Sequence, residues 1–168
     1  MKNLWIALII SLFLFTSMNN VIGAELAKQG EGTYKAGMSW TFKAIPMEKE
    51  RLEMQFDVTG VVLEAPENSP LYNATFWVLG QLHAVNGEYE ERGFVRYTRP
   101  DGDHVFSTYE AKGKLRGERK IRAIFVGGTG KCAGITGEGD FRGLVGLKPP
   151  KEDSGMSVSI GKFFWKIP

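Results

Sequence analysis

The sequence predicts an all-β protein, an eight-stranded antiparallel β-barrel that follows an N-terminal signal peptide. Three observations predict this class. Apolar and polar residues alternate with a period of two over most of the chain, which is typical of strands that bury one face. Turn-forming residues interrupt the alternation at short intervals, and after Gly23 no window of twelve residues is free of Gly and Pro while keeping a helical spacing. The composition, 43% hydrophobic and 24% charged over 168 residues, is that of one globular domain.

The first 23 residues predict a secretory signal peptide that is not part of the fold. Lys2 precedes an apolar run from Leu4 to Phe15, and the residues after this run are polar and small. We place the cleavage site after Gly23, with Ala24 as the alternative, so that residues 24–168 form a single barrel domain. The run is shorter than the roughly 20 residues of a membrane-spanning helix. The mature protein is therefore expected to lack a transmembrane span and to be exported, to a periplasm or to the extracellular space.

The candidate strands follow one another with short separations. The first two show the clearest alternation, from Met38 to Ala44 and from Leu52 to Val58. The third and fourth are short aromatic or β-branched runs, and the turn at residues 100–103 predicts a hairpin between the fourth and the fifth. The sixth and eighth again alternate, around Phe125 and Phe163. The predicted strands cover residues 38–45, 52–64, 72–85, 92–99, 103–113, 118–127, 135–145 and 156–166.

The number of strands favours a barrel over a sandwich. An antiparallel sheet exposes unpaired backbone groups at its edges, and these edges must be protected against other chains. Closing eight strands into a barrel removes every edge, whereas a two-sheet sandwich would leave four of them. We therefore predict a closed barrel.

A glycine-rich segment from Val126 to Gly139 follows the sixth strand. A Walker A loop would need glycine where Phe125 stands and serine or threonine where Cys132 stands. A dinucleotide-binding fingerprint would need a helix, which Gly134 and Gly137 disfavour. We therefore predict no nucleotide cofactor, and we expect the glycines to supply positive φ angles where the chain crosses the barrel rim.

The same segment resembles a known family. The run Val126 to Gly130, followed by Gly134 and Gly137 at the start of the next strand, resembles the signature of dirigent proteins and the allene oxide cyclase barrel superfamily. The late aromatic strand around Phe163 is similar in kind to the last strand of those proteins. The resemblance implies an eight-stranded barrel, often trimeric, that encloses an apolar cavity. It also implies that a reactive lipid or phenolic intermediate is held there while it cyclises or couples, although the family's acid and water-binding residues match no motif in this sequence.

The fifth strand carries the candidate catalytic residues, Glu110 and His104. They share one strand face with Phe106 and Thr108, so all four would line the interior if Phe106 points inward. A carboxylate in an apolar barrel would have a raised pKa and could transfer protons. The opposite phase, with Val105, Ser107 and Tyr109 inside, fits the pattern equally well and would leave His104 and Glu110 in solvent.

Aromatic residues are the candidates for lining a ligand cavity, although the same residues would also serve as ordinary core. An eight-stranded barrel can be filled by side chains or can hold one small ligand. The candidates are Trp77, Tyr97, Phe106, Phe125, Phe163 and Trp165.

Other features predict no further chemistry. His83 and His104 lack the neighbouring carboxylates or thiols that would complete a metal site. Cys132, the only cysteine, cannot form an intramolecular disulfide and is expected to be a small buried residue. Asn73 begins a glycosylation acceptor pattern.

The charges predict no nucleic-acid partner, because 21 Lys and Arg oppose 19 Asp and Glu. The basic stretch Lys112–Arg122 could attract an anionic surface, but a solvated turn explains it as well. Glutamates at positions 88, 90 and 91 are expected to balance it.

These observations predict that an exported barrel binds a small apolar or aromatic molecule. One alternative is a cyclase or isomerase that orients a reactive intermediate. Another is a structural or interaction protein with a filled barrel that forms a homo-oligomer, a dimer or a trimer, through outward apolar residues such as Ile124 and Val126.

Overall fold

The computed structural model describes residues 24–48, 50–115, 118–147 and 154–168. They form a closed barrel in which every strand is antiparallel to its neighbours and the last strand pairs with the first. The predicted fold class is thus confirmed, while the predicted signal peptide lies outside the described residues. The strands are β1 (Gln29–Glu48), β2 (Arg51–Glu64), β3 (Thr75–Val85), β4 (Glu88–Thr98), β5 (His104–Lys114), β6 (Arg119–Gly128), β7 (Thr136–Leu147) and β8 (Ser154–Lys166).

The first strand is longer than its sequence pattern predicts. It starts at Gln29 rather than at residue 38, and its first half pairs with the end of β8. Gly30 and Gly32 interrupt the apolar alternation there, and the rings of Trp165 and Pro66 occupy the space that side chains at these glycines would need. The apolar alternation is not visible in the sequence at Gly30 and Gly32, because the apolar groups that fill these positions, Trp165 and Pro66, come from distant parts of the chain.

Local turns explain the other shifted boundaries. Asn86 and Gly87 have φ angles of 52° and 80°, the conformation of a tight hairpin turn, so β4 begins at Glu88 and not at residue 92. Asn73 has a φ of 51°, and this turn delays the start of β3 to Thr75.

The segment after β6 crosses the rim as predicted. Gly130 and Gly134 have φ angles of 50° and 73°, which residues with a side chain rarely adopt. The backbone N–H of Lys131 donates a hydrogen bond of 2.8 Å to the carboxylate of Asp103, and a side chain at Gly130 would overlap that carboxylate. One helical turn, Gly130–Cys132, is the only helix among the described residues, so the helix that a dinucleotide site requires is not formed there.

The two ends of the barrel differ. At the closed end, which holds the β2–β3, β4–β5 and β6–β7 connections, Leu71, Cys132 and Ile135 are fully buried and belong to the main core. Trp165 stacks on Phe163 with a ring-centroid separation of 5.4 Å and donates a hydrogen bond from Nε1 to a backbone carbonyl. The opposite end, the hairpin end, holds the β1–β2, β3–β4, β5–β6 and β7–β8 connections. A smaller buried cluster of Ala84, Tyr89 and Ala111 lies near the hairpin end.

Candidate functional site

The interior of the barrel contains a cavity of about 260 Å³. Its wall is mainly apolar, and it extends from the middle of the barrel towards the hairpin end, where Lys114 and Leu115 also line it. Apolar residues of the wall include Met38, Met54, Val78, Val95, Ile121 and Phe141.

The six aromatic candidates separate into three groups. Tyr97 lines the cavity, and the rings of Phe125, Phe163 and Trp165 are buried in the core. The structure corrects the interpretation of Trp77 and Phe106 as residues that line the cavity. Both lie on the outer face, with 37% and 36% of their surface exposed.

The outward position of Trp77 has a polar explanation. Its Nε1 donates a 3.0 Å hydrogen bond to Asp57, and the guanidinium of Arg96 lies 5.3 Å from its ring centroid. Both partners belong to the outer faces of the neighbouring strands.

The phase of β5 determines whether the candidate catalytic residues face the interior of the barrel. Val105 and Ser107 are buried, with 0% and 1% exposure, so the strand presents the second of its two possible faces to the interior. The condition for an internal site built from Glu110 and His104 is therefore not met. Glu110 is exposed and lies opposite Arg92 in the strand register, while His104 lies at the closed end of the strand.

Space explains this choice of phase. The face with Val105, Ser107 and Ala111 is mostly small. Its one large residue, Tyr109, fits over a glycine of the adjacent strand β4 and a glycine of the next strand, β3. Gly80 of β3 and Gly93 of β4 lie directly opposite each other. Side chains at these two positions would overlap the Tyr109 side chain.

A glutamate that the sequence analysis expected only to balance the basic stretch lies buried inside the barrel. The Glu91 side chain is 1% exposed, and its Oε1 accepts a 2.8 Å hydrogen bond from the Tyr109 hydroxyl. The same oxygen accepts a hydrogen bond from Nη2 of Arg119, which forms an ion pair with Glu91. Arg119 also lies over the ring of Phe56, 5.8 Å from its centroid. We call Glu91, Tyr109, Arg119 and the neighbouring Tyr89 the polar cluster.

The alternation itself contained a signal for this cluster. Glu91 lies in phase with Tyr89, Val95 and Tyr97, and all four are buried. Arg119 likewise precedes the inward series of β6. The charges of both side chains favoured a solvated interpretation, although strand phase placed them inside.

Burial alters the acidity of the phenols and of the guanidinium. Desolvation raises the pKa of Tyr89, and the charge of Arg119 partly opposes this increase. Desolvation also raises the pKa of Tyr109. Desolvation also lowers the pKa of Arg119. The phenols of the cluster therefore remain protonated at neutral pH and act as hydrogen-bond donors.

Two more tyrosines line the cavity away from the polar cluster. Tyr34 of β1 and Tyr97 of β4 interact through their phenol groups across the barrel, and burial raises the pKa of both, that of Tyr97 to about 12. The cavity thus has an apolar middle and two places where hydroxyl groups meet it.

Metal-binding groups are not brought together in the described part of the chain. No cluster of three or more His, Cys, Asp or Glu side chains occurs there. His83 pairs with Glu53 on the outer face, and His104 lies towards the other end of the barrel. Cys132 is buried, and desolvation raises the pKa of its thiol, which makes it a weak nucleophile.

The basic stretch is mostly neutralised by acidic neighbours. Lys112 pairs with Glu90 at 3.0 Å and Arg122 with Glu138 at 2.6 Å, while Arg119 points inside. Arg116 lies outside the described residues. The paired cations do not form a continuous positive surface.

Two further expectations concern the outer surface. Asn73 is exposed in the turn before β3, so the acceptor position is accessible, and its glycosylation stays a prediction. Among the described residues, no helix is both long and apolar enough to cross a membrane.

Comparison with known proteins supports the fold at the level of structure. No protein-family model and no curated protein sequence matches the chain. A solved pterocarpan synthase dirigent protein has a similar structure, with a TM-score of 0.52 over 90% of this chain and 99% of that one, at 9% sequence identity. A likeness at this identity shows the fold alone, an eight-stranded antiparallel barrel similar to that of this dirigent protein.

Proposed function

We propose that this barrel binds a small apolar or aromatic molecule in its internal cavity. The observation that carries the proposal is the space of about 260 Å³ inside a barrel whose closed end is densely packed. Ligand sites are typically concave and apolar, with a few polar groups that fix orientation. The polar cluster supplies such groups within a mainly apolar wall.

We propose export as the setting for this function. The positive residue and apolar run of residues 1–15 have the form of a secretory signal. Cys132, the only cysteine of the sequence, is buried and therefore protected from the oxidants of such a compartment.

A cavity-filling substitution tests binding. Val78 lines the cavity and is buried, whereas Val61 of the neighbouring strand is 46% exposed on the outer face. Val78→Phe should weaken the binding of a naphthalene-sized aromatic compound at least tenfold, measured by ligand-detected NMR, because the new ring takes the ligand's space. Val61→Phe adds the same ring outside and should leave binding unchanged. Equal effects of the two variants, or no binding to the unmodified protein, would exclude the cavity as the site.

Orientation of a reactive intermediate is the second candidate function, and the inward Glu91 carboxylate favours it. A confined substrate loses translational and rotational freedom before it reacts, which lowers the barrier to cyclisation or coupling. Glu91 is ion-paired with Arg119, so the barrel would contribute mainly a fixed pose and an electrostatic environment. Altered product distribution from a cyclising substrate, lost in Val78→Phe, would support this candidate.

Self-association is the third candidate, and the outer face favours it. Phe94, Ile124 and Val126 are 70%, 48% and 58% exposed, and contiguous apolar surface commonly marks an interface. Sedimentation should show a dimer or trimer that Phe94→Glu dissociates. A monomer at micromolar concentration would remove this candidate.

A further inference from the structure

Two hydrogen-bond donors of the polar cluster have no partner among the described residues. The Tyr89 hydroxyl is buried, and its residue is 6% exposed. Nε of Arg119 is buried as well, and both residues line the cavity. Buried polar groups are nearly always hydrogen-bonded, and an unmade bond costs about 1–3 kcal/mol. A bound molecule that offers an acceptor oxygen would remove this cost.

The charges around these donors favour an uncharged acceptor. Glu91 already neutralises Arg119 through the ion pair. A ligand carboxylate placed beside Arg119 would lie close to the Glu91 carboxylate and would be desolvated inside an apolar wall, which is costly without a further cation. Among the described residues of the cavity lining, the remaining cation is Lys114, the last residue of β5.

Resting on the proposed function, we infer that the ligand is an uncharged apolar molecule with a carbonyl-type oxygen, which accepts hydrogen bonds from Tyr89 and Arg119. The cavity volume sets the size of the part of the ligand that lies inside the barrel. One water takes up about 30 Å³ of liquid, so 260 Å³ corresponds to the space of about nine waters. A compound with one fused pair of aromatic rings or a comparable aliphatic body fits this space.

Three naphthalenes that differ only in one substituent test the inference. Acetylnaphthalene carries the carbonyl, ethylnaphthalene replaces it with an apolar group of similar shape, and naphthoate carries a carboxylate. Their affinities for the purified full chain are measured by ligand-detected NMR. The same set is measured for Tyr89→Phe, which deletes only the unpartnered hydroxyl. Tyr72→Phe, in the loop outside the cavity lining, is the matched control.

The expected result is that the ketone binds about tenfold more tightly than the hydrocarbon. Tyr89→Phe should reduce this ratio severalfold while the hydrocarbon binds as before, which shows at once that the variant is folded. Equal binding of ketone and hydrocarbon would overturn the inference and leave the proposed function standing. Tighter binding of naphthoate, or an unchanged ratio in Tyr89→Phe, would also overturn it. Failure of all three compounds to bind would overturn the proposed function itself.

Discussion

Replacing Glu91 with glutamine tests whether an ion pair is buried inside the barrel. The substitution preserves shape and an acceptor for Tyr109 but removes the charge that neutralises Arg119. Breaking a buried pair by deleting one partner costs about 3–5 kcal/mol. The Arg119 side chain keeps 31% exposure and can be partly hydrated, so we expect a smaller loss, about 2 kcal/mol in the free energy of unfolding.

The adjacent glutamate provides a matched control. Glu90 lies next to Glu91 in β4 but points outward, and its ion pair with Lys112 is exposed on both sides. Glu90→Gln should therefore leave stability unchanged within error, because exposed pairs contribute little. Urea denaturation followed by tryptophan fluorescence measures both variants under the same conditions.

A double variant separates the ion pair from general damage. Combining Glu91→Gln with Arg119→Met removes both charges, so its loss of stability should be smaller than the sum of the two single losses. Equal stability of Glu91→Gln and Glu90→Gln would refute the inward placement of Glu91. Strictly additive losses in the double variant would refute the pairing with Arg119.

Other predictions concern packing and titration. Gly80→Ala should lower the free energy of unfolding by about 1–3 kcal/mol, because its methyl group would overlap the side chains of Phe56 and Tyr109. Gly37→Ala should be close to neutral, because its methyl group would meet its nearest neighbour, Leu63, at 3.5 Å. Urea denaturation measures both variants. Phe163→Ala should cost about 3–5 kcal/mol, since that ring is 3% exposed, and Phe164→Ala, with 48% exposure on the opposite face, should cost much less by the same assay. For Tyr97, burial raises the folded-state pKa from 10.0 to about 12, so the native state keeps a proton that the unfolded chain loses. The stability contributed by the protonated Tyr97 is fully present below pH 10 and is lost as the pH rises towards 12. The free energy of unfolding, measured by urea denaturation at several pH values in this range, should therefore fall less steeply for Tyr97→Phe.

Each of these predictions has a contradicting result. Equal costs at the two glycines would show that Tyr109 does not lie over Gly80. Equal losses of stability in Phe163→Ala and Phe164→Ala would contradict the inward orientation of Phe163 on β8. An alkaline decline as steep in Tyr97→Phe as in the unmodified protein would show that Tyr97 titrates as it does in the unfolded chain.

The candidate site was predictable only where strand phase was clear. On β4, Glu91 follows the same alternation as Val95 and Tyr97, and a strict application of the period would have placed it inside. On β5 both faces carry aromatic residues, Phe106 on one and Tyr109 on the other, so the pattern supported either phase. The choice depended on the space above Gly80 and Gly93, which belong to other strands.

The amino-acid sequence by itself determined the number of strands, the antiparallel up-and-down order and the glycine-rich crossing after β6. These features depend on alternation and turn chemistry within a few neighbouring residues. Tertiary structure alone decided the early start of β1, the inward face of β5 and the pairing of Glu91 with Arg119, 28 residues apart. Each of these depends on how much room distant strands leave once the barrel closes, and packing of that kind is not encoded in any local pattern.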